Sequence, residues 1–224
     1  MSGVTYLSLS KLNDSSAFIK PMCLNFTLNN KPREWHGAKV HDSVSILIHN
    51  KTQNSFVFVR QFRPMVYLNK LCENFKLDLT KLTQKDLDDI KELPDQKIGI
   101  TTELCAGIID KNKAPSEIAV SEVFEETGYV VKEENLKLIA CYRNSVGIAG
   151  AKSYVYFVSV EDSDQKGKGG GLEAENEEIE VVHTPVPDNI HEFMETSLDM
   201  TDCTTSGLLF AVTWFIHYKK STNN

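Results

Sequence analysis

Pro115 and Gly128 bracket a segment with strongly marked helix ends. Proline lacks an N–H and has φ preset near the helical value, so it suits the first turn, and glycine readily takes the left-handed conformation that stops a helix. At about 100° per residue, Ala119, Val120, Val123 and Phe124 fall on one face. Runs rich in β-branched and aromatic residues lie on both sides: Val44–Ile48, Phe56–Arg60 and Ile98–Leu104 before the helix, then Leu136–Tyr142, Tyr154–Val160 and Ile179–Val182 after it. A second apolar stripe, Leu208, Leu209, Val212, Phe215 and Ile216, follows the candidate caps Thr204, Thr205 and Ser206. Strands interleaved with helices in this way predict an α/β chain whose mixed sheet packs between helical layers.

The remaining segments are less patterned. Residues 1–40 alternate short apolar runs (Phe18-Ile19, Leu24–Leu28) with the turn formers Asn29-Asn30-Lys31-Pro32 and read as a small β arm. Residues 41–224 then form the main domain. Asn50–Asn54 reads as a hairpin turn between the first two strands. Asn69–Lys97 is charged and weakly periodic; Thr83-Gln84-Lys85-Asp86 reads as a cap for a short helix within a surface excursion.

With 224 residues, 41% of them hydrophobic, the chain can bury one substantial core. A net charge of −7 argues against nucleic-acid or anionic-membrane partners, which select for basic surfaces. The stretch Gly207–Ile216 is too short to span a bilayer, and the N-terminus lacks a basic-then-apolar leader pattern. The five cysteines, Cys23, Cys72, Cys105, Cys141 and Cys203, contain no CxxC pair. Their spacing argues against a disulfide framework or a zinc site, and favours reduced, mostly core thiols in a cytoplasmic protein.

Glu122, Glu125 and Glu126 cluster within about a 100° arc of the 115–127 helix. Like charges at that spacing repel, and two sit at the helix C-terminus, where anions are disfavoured. Solvation relieves this, and so does a divalent cation. Carboxylate oxygens without His or Cys suit Mg²⁺, with Mn²⁺ as a substitute.

Gly107 precedes Ser121 by fourteen residues, and Glu122-Val123-Phe124-Glu125-Glu126-Thr127-Gly128-Tyr129 follows. This frame resembles the Nudix box: a glycine, a spacer, then Arg-Glu-aliphatic-x-Glu-Glu-x-Gly-hydrophobic. The chain departs from it twice, with Lys113 where the family has its first glutamate and Ser121 where it has arginine. Those two commonly pair with each other in the family, so their joint loss strands neither charge. The resemblance implies a Nudix-type α/β/α sandwich and a metal shell of Glu122, Glu125, Glu126 and the Ala106 carbonyl.

Three further stretches are similar to the nucleoside diphosphate sugar and ADP-ribose branch of that family. Glu103-Leu104-Cys105-Ala106-Gly107 resembles its Glu-Leu-Pro-Ala-Gly run. Arg60-Gln61-Phe62-Arg63-Pro64 ends a strand where a site would open. Gly169-Gly170-Gly171-Leu172 leads into an acidic loop, its glycines read as hinge freedom. Arg60, Arg63 and Glu103 are substrate candidates; each arginine also reads as a surface ion-pair residue, and Glu103 as a strand-end structural group. By position, Glu175 matches the branch's general base and Glu177 a loop glutamate that reaches metal.

With His41-Asp42-Ser43-Val44, the resemblance is nearest to UDP-sugar pyrophosphatases. It implies a homodimer built with the N-terminal arm, and hydrolysis of UDP-glucose to UMP and glucose 1-phosphate. An ADP-ribose pyrophosphatase and a catalytically silent nucleotide-binding module are the alternatives.

Overall fold

The computed structural model describes residues 3–12, 16–110, 112–172, 177–197 and 203–222. A hairpin of β1 (Lys20–Leu28) and β2 (Lys31–Lys39) forms a two-stranded sheet of its own. Asn29 and Asn30 both take positive φ, 53° and 59°, the two-residue geometry that matches the twist of paired strands. The expected arm is therefore present. Its side chains are largely exposed, and it meets the rest of the chain through Ala38 N–H to the Ile148 carbonyl (2.9 Å) and Trp35 Nε1–H to the Gly147 carbonyl (2.9 Å).

The second sheet contains β3 (Ser43–Asn50), β4 (Ser55–Phe62), β5 (Ile100–Glu103), β6 (Cys105–Ile108), β7 (Lys137–Asn144), β8 (Ala151–Val160), β9 (Ile179–Pro185) and β10 (Cys203–Thr204). It is mixed: β3 runs parallel to β8 and β5 parallel to β10, and the other pairs are antiparallel. The β3–β4 hairpin forms as the sequence predicts.

Alternation along β3 and β4 builds two cores. Val44, Ile46, Ile48 and Val57 pack against Ile118, Ala119 and Val123 of α3 (Pro115–Thr127). Leu47, Phe56 and Phe58 face the opposite side, against Leu208, Ala211, Val212 and Phe215 of α5 (Ser206–Thr222). Each such side chain removed from water contributes about 1.5–3 kcal/mol, so the sheet is held between helices on both faces. The α/β/α layering matches the expectation. Phe124 is a correction: it is 47% exposed, one position too far round the helix to reach the core.

The segment read as a surface excursion is another correction. Pro64 starts α1 (Pro64–Phe75), α2 (Gln84–Asp88) carries a reciprocal cap between Thr83 and Asp86, and Gln96–Gly99 is a 3-10 turn where the sequence predicts strand. Tyr67, Leu71, Cys72 and Leu87 form a third small core there, covered by Leu7, Phe62 and Ile98. A single helical turn, α4 (Ile190–Glu192), precedes α5.

One topological detail positions everything that follows. β3 and β4 pair only at their turn end, Ile48–Asn50 with Ser55–Val57, and then diverge. The chain from Ile100 to Ile108 bridges the gap: β5 pairs with β4, and after Leu104 the same chain pairs as β6 with β3.

Candidate active site

The fork between β3 and β4 collects the charged residues. On the β6 side, Gly107 lies directly under α3: a Cβ there would stand 2.0 Å from Glu122 Oε1, so a larger residue would push the glutamate side chain off the strand. One residue earlier, the Ala106 N–H donates to Glu126 Oε2 at 3.0 Å. Glu126 is 2% exposed, and burial pushes its carboxyl up to about 8. Hydrogen bonds from the Cys105 thiol and the Ala106 amide oppose that rise, while the charges of Glu122 and Glu177 add to it. Burial likewise raises the Cys105 thiol well above its ordinary range, and the neighbouring Glu126 adds to the shift. Glu125 is half-buried on the same helix.

On the β5 side, Arg63 grips Glu103 with two parallel hydrogen bonds, Nε to Oε1 and Nη2 to Oε2, both 2.7 Å. Thr101 Oγ1 donates to the same carboxylate, whose side chain is 10% exposed. The Glu103 bond holds the Arg63 guanidinium above its usual range, and the charges of Glu126 and Glu177 contribute. Arg60 sits opposite Thr102 on one side and Glu180 on the other, with Nη1 3.9 Å from Glu180 Oε2. Arg63 and Glu103 are thus brought together, while Arg60, paired with Thr102 rather than Glu103, alternates to the other face of the sheet. The Arg63 side chain is 45% exposed and keeps further N–H groups beyond the two that Glu103 takes.

The glycine run does more than grant freedom. Gly170 N–H donates to the Glu126 carbonyl (2.8 Å) and Gly171 N–H to the Glu125 carbonyl (3.1 Å), so the loop satisfies the carbonyls that α3 leaves open at its end. Gly169, at φ 65°, passes so near that a Cβ would lie 2.3 Å from the Glu126 carbonyl oxygen. These contacts add an anchoring role to the glycine run. The anchored loop brings in Glu177, whose Oε2 accepts from Leu172 N–H at 3.1 Å. Glu175 lies outside the described residues.

Lys113 is exposed, and the Ser121 hydroxyl donates back to the Glu117 carbonyl at 3.3 Å, so neither departure from the box leaves a buried orphan. His41 reaches the Ala17 carbonyl through Nε2 at 3.0 Å. Cys105 is the residue whose part sequence reasoning missed. Its place beside Ala106 was visible, but its contact with Glu126 required the β6–α3 packing.

The donors fit a hard divalent cation. They are carboxylate oxygens from Glu122, Glu125, Glu126 and Glu177, and one is buried at an energetic cost that a cation would offset. Among the described residues, these carboxylates include no three whose oxygens all lie within 4.8 Å of one another.

No family model matches the sequence. The chain is 33% identical over 202 residues, 89% of each chain, to a protein of Mus musculus named uridine diphosphate glucose pyrophosphatase NUDT14. The protein of the same name from Bos taurus matches at 33% over 90% of this chain and 89% of its own. A GDP-mannose pyrophosphatase of Salmonella typhimurium matches at 27% over 185 residues, 81% of each chain.

Proposed function

This chain belongs to the Nudix hydrolase family, and we propose that it is a Mg²⁺-dependent pyrophosphatase of nucleoside diphosphate sugars that cleaves UDP-glucose to UMP and glucose 1-phosphate. The observation that carries the chemistry is the Glu126 carboxylate, buried against the Ala106 amide within the field of Glu122 and Glu177. The substrate class is supported by relatives whose names specify UDP-glucose and GDP-mannose.

Water attacks one phosphorus of the diphosphate and the bridging P–O bond breaks. Glu122, Glu125, Glu126, Glu177 and the Ala106 carbonyl are the groups that would hold the cation, which neutralises phosphate charge and acidifies a water when bound. The Ala106 and Cys105 hydrogen bonds keep Glu126 oriented while it is desolvated. Glu103 locks the Arg63 fork, leaving its remaining N–H groups for a phosphate oxygen, and Arg60, three residues earlier in the chain, is the second proposed substrate contact. Glu175, which follows Gly169–Gly171 in the sequence, is the proposed acceptor of the water's proton.

The reading includes a homodimer formed with the hairpin, whose face bearing Met22, Leu24, Leu28 and Trp35 is exposed. It also includes a cytoplasmic setting without nucleic-acid partners, as the net charge of −7 suggests. No helix among the described residues is long and apolar enough to cross a membrane.

The test is turnover of UDP-glucose against ADP-ribose at matched Mg²⁺, with product identification. UMP and glucose 1-phosphate are expected, with the higher kcat/KM for UDP-glucose. A tenfold advantage for ADP-ribose, about 1.4 kcal/mol in transition-state binding, overturns the substrate and leaves the enzyme class standing. Because the pyrophosphate is common to both compounds, the preference must come from walls around base and sugar, a role this reading gives to the Arg143–Lys152 loop and the N-terminal arm of a second subunit.

A further inference from the structure

The hairpin carries a second set of metal-capable groups, far from carboxylate chemistry in type. Its register places Cys23 directly across from His36 and Asn25 across from Glu34. Side chains alternate along a strand, so these four share one face, while Met22, Leu24 and Trp35 share the other. Among the described residues, Cys23, Glu34 and His36 are the one group of three whose ligand atoms all lie within 4.8 Å of one another. His36 Nε2 and Glu34 Oε1 are already 3.1 Å apart. The Asn25 amide donates to Cys23 Sγ at 3.9 Å.

We propose that Cys23, Glu34 and His36 form a zinc-binding site on the hairpin, separate from the magnesium site. A thiolate, an imidazole and a carboxylate suit Zn²⁺, a borderline-soft ion, better than Mg²⁺, which takes oxygen ligands. Zinc–ligand bonds of about 2.0–2.3 Å around a tetrahedron put neighbouring ligand atoms roughly 3.5 Å apart. The three side chains are exposed and share one face, so they are free to rotate toward that spacing. On binding, the Cys23 thiol releases its proton to solvent and the sulfur binds as thiolate. Three protein ligands leave the fourth position to water. The paired strands fix Cys23 and His36 opposite each other before the ion arrives, so little chain entropy is lost on binding.

The site is tested on the whole chain, stripped of metal and titrated with Co²⁺ as a spectroscopic stand-in for zinc. A cobalt–thiolate charge-transfer band in the near ultraviolet reports a sulfur ligand. The band should saturate at a single equivalent, disappear in Cys23→Ser, and persist in Glu122→Gln and Glu126→Gln. Competition with a zinc chelator should show His36→Ala and Glu34→Ala each weakened by roughly tenfold or more, since loss of even an outer hydrogen-bond partner of a ligand typically costs that much. A titration without the band overturns the proposal. So does a band that survives Cys23→Ser, which would place the sulfur elsewhere, with Cys105 beside Glu126 the first suspect. Unchanged zinc affinity in His36→Ala also overturns it.

Discussion

Gly170 donates its backbone N–H to the carbonyl of Glu126 at 2.8 Å, so the residue with the buried carboxylate also receives the acidic loop. Main chain and side chain of Glu126 therefore face two tasks at once. The carbonyl anchors the loop, and the carboxylate meets Ala106 and Cys105.

Glu126 makes the metal-free protein sensitive to pH. Its carboxyl ionises near 4.5 when unfolded and holds its proton to about 8 when folded. Folding thus favours the protonated form. Metal-free stability is fully present below the lower value, falls as pH rises between the two, and is lowest above the upper one. The slope in that window is up to about 1.4 kcal/mol per pH unit. Urea melts in chelator should show this decline, Mg²⁺ should reverse it, and Glu126→Gln should flatten it while abolishing most turnover. A wild-type melt independent of pH in chelator would refute the assignment.

Gly169→Ala should cost about 2 kcal/mol or more of stability and lower kcat, because the new methyl meets the Glu126 carbonyl at a positive φ. Gly3→Ala is the matched control, with nothing within 4 Å of its Cβ. Thermal melts and turnover of the two variants, side by side, decide whether the glycine run anchors or merely flexes. Equal behaviour would favour flexing.

Arg63→Ala strands the nearly buried Glu103 carboxylate and should destabilise the fold by about 2 kcal/mol. The double change Arg63→Met with Glu103→Leu should recover much of that stability but none of the activity. A double variant that regains activity with stability would reduce the pair to a structural brace, to be read from denaturant melts and kcat/KM together.

Glu175→Gln and Glu177→Gln should fail differently. The first should lower kcat by roughly 10²–10⁴-fold at every Mg²⁺ concentration, as loss of a general base does. The second should raise the Mg²⁺ needed for half-maximal rate, given its coupling to Glu126. If added Mg²⁺ restores Glu175→Gln, that residue is a ligand and the base lies elsewhere.

The parts legible in the sequence were those fixed locally. Pro115 and Gly128 set the bounds of α3 through backbone geometry that no distant contact alters, and Gly128 does take φ 75°. The β-branched runs gave the strands for the same reason. Asn69–Lys97 was opaque because its helices lean on residues far away in the chain, Leu7, Phe62 and Ile98. Pro64 at the first turn of α1 was a usable signal within it. The fork left no local mark, because a change of partner strand at Leu104 alters nothing in composition. Cysteine spacing missed the Cys23–His36 approach, yet the Asn29-Asn30 turn implies it: counting outward from Leu28 opposite Lys31 brings Cys23 opposite His36.

The handover at Leu104 acts as a ruler. Glu103, which holds the arginine, and Ala106, which holds Glu126, are three residues apart on one extended chain, roughly 10 Å at about 3.3 Å per residue. Backbone pairing on both flanks clamps that length. The gap between the cationic and carboxylate ends of the proposed site is therefore set by covalent geometry, whatever the side chains do. Inserting or deleting one residue at Leu104 would change the gauge itself, and with it the length of linkage the site can measure.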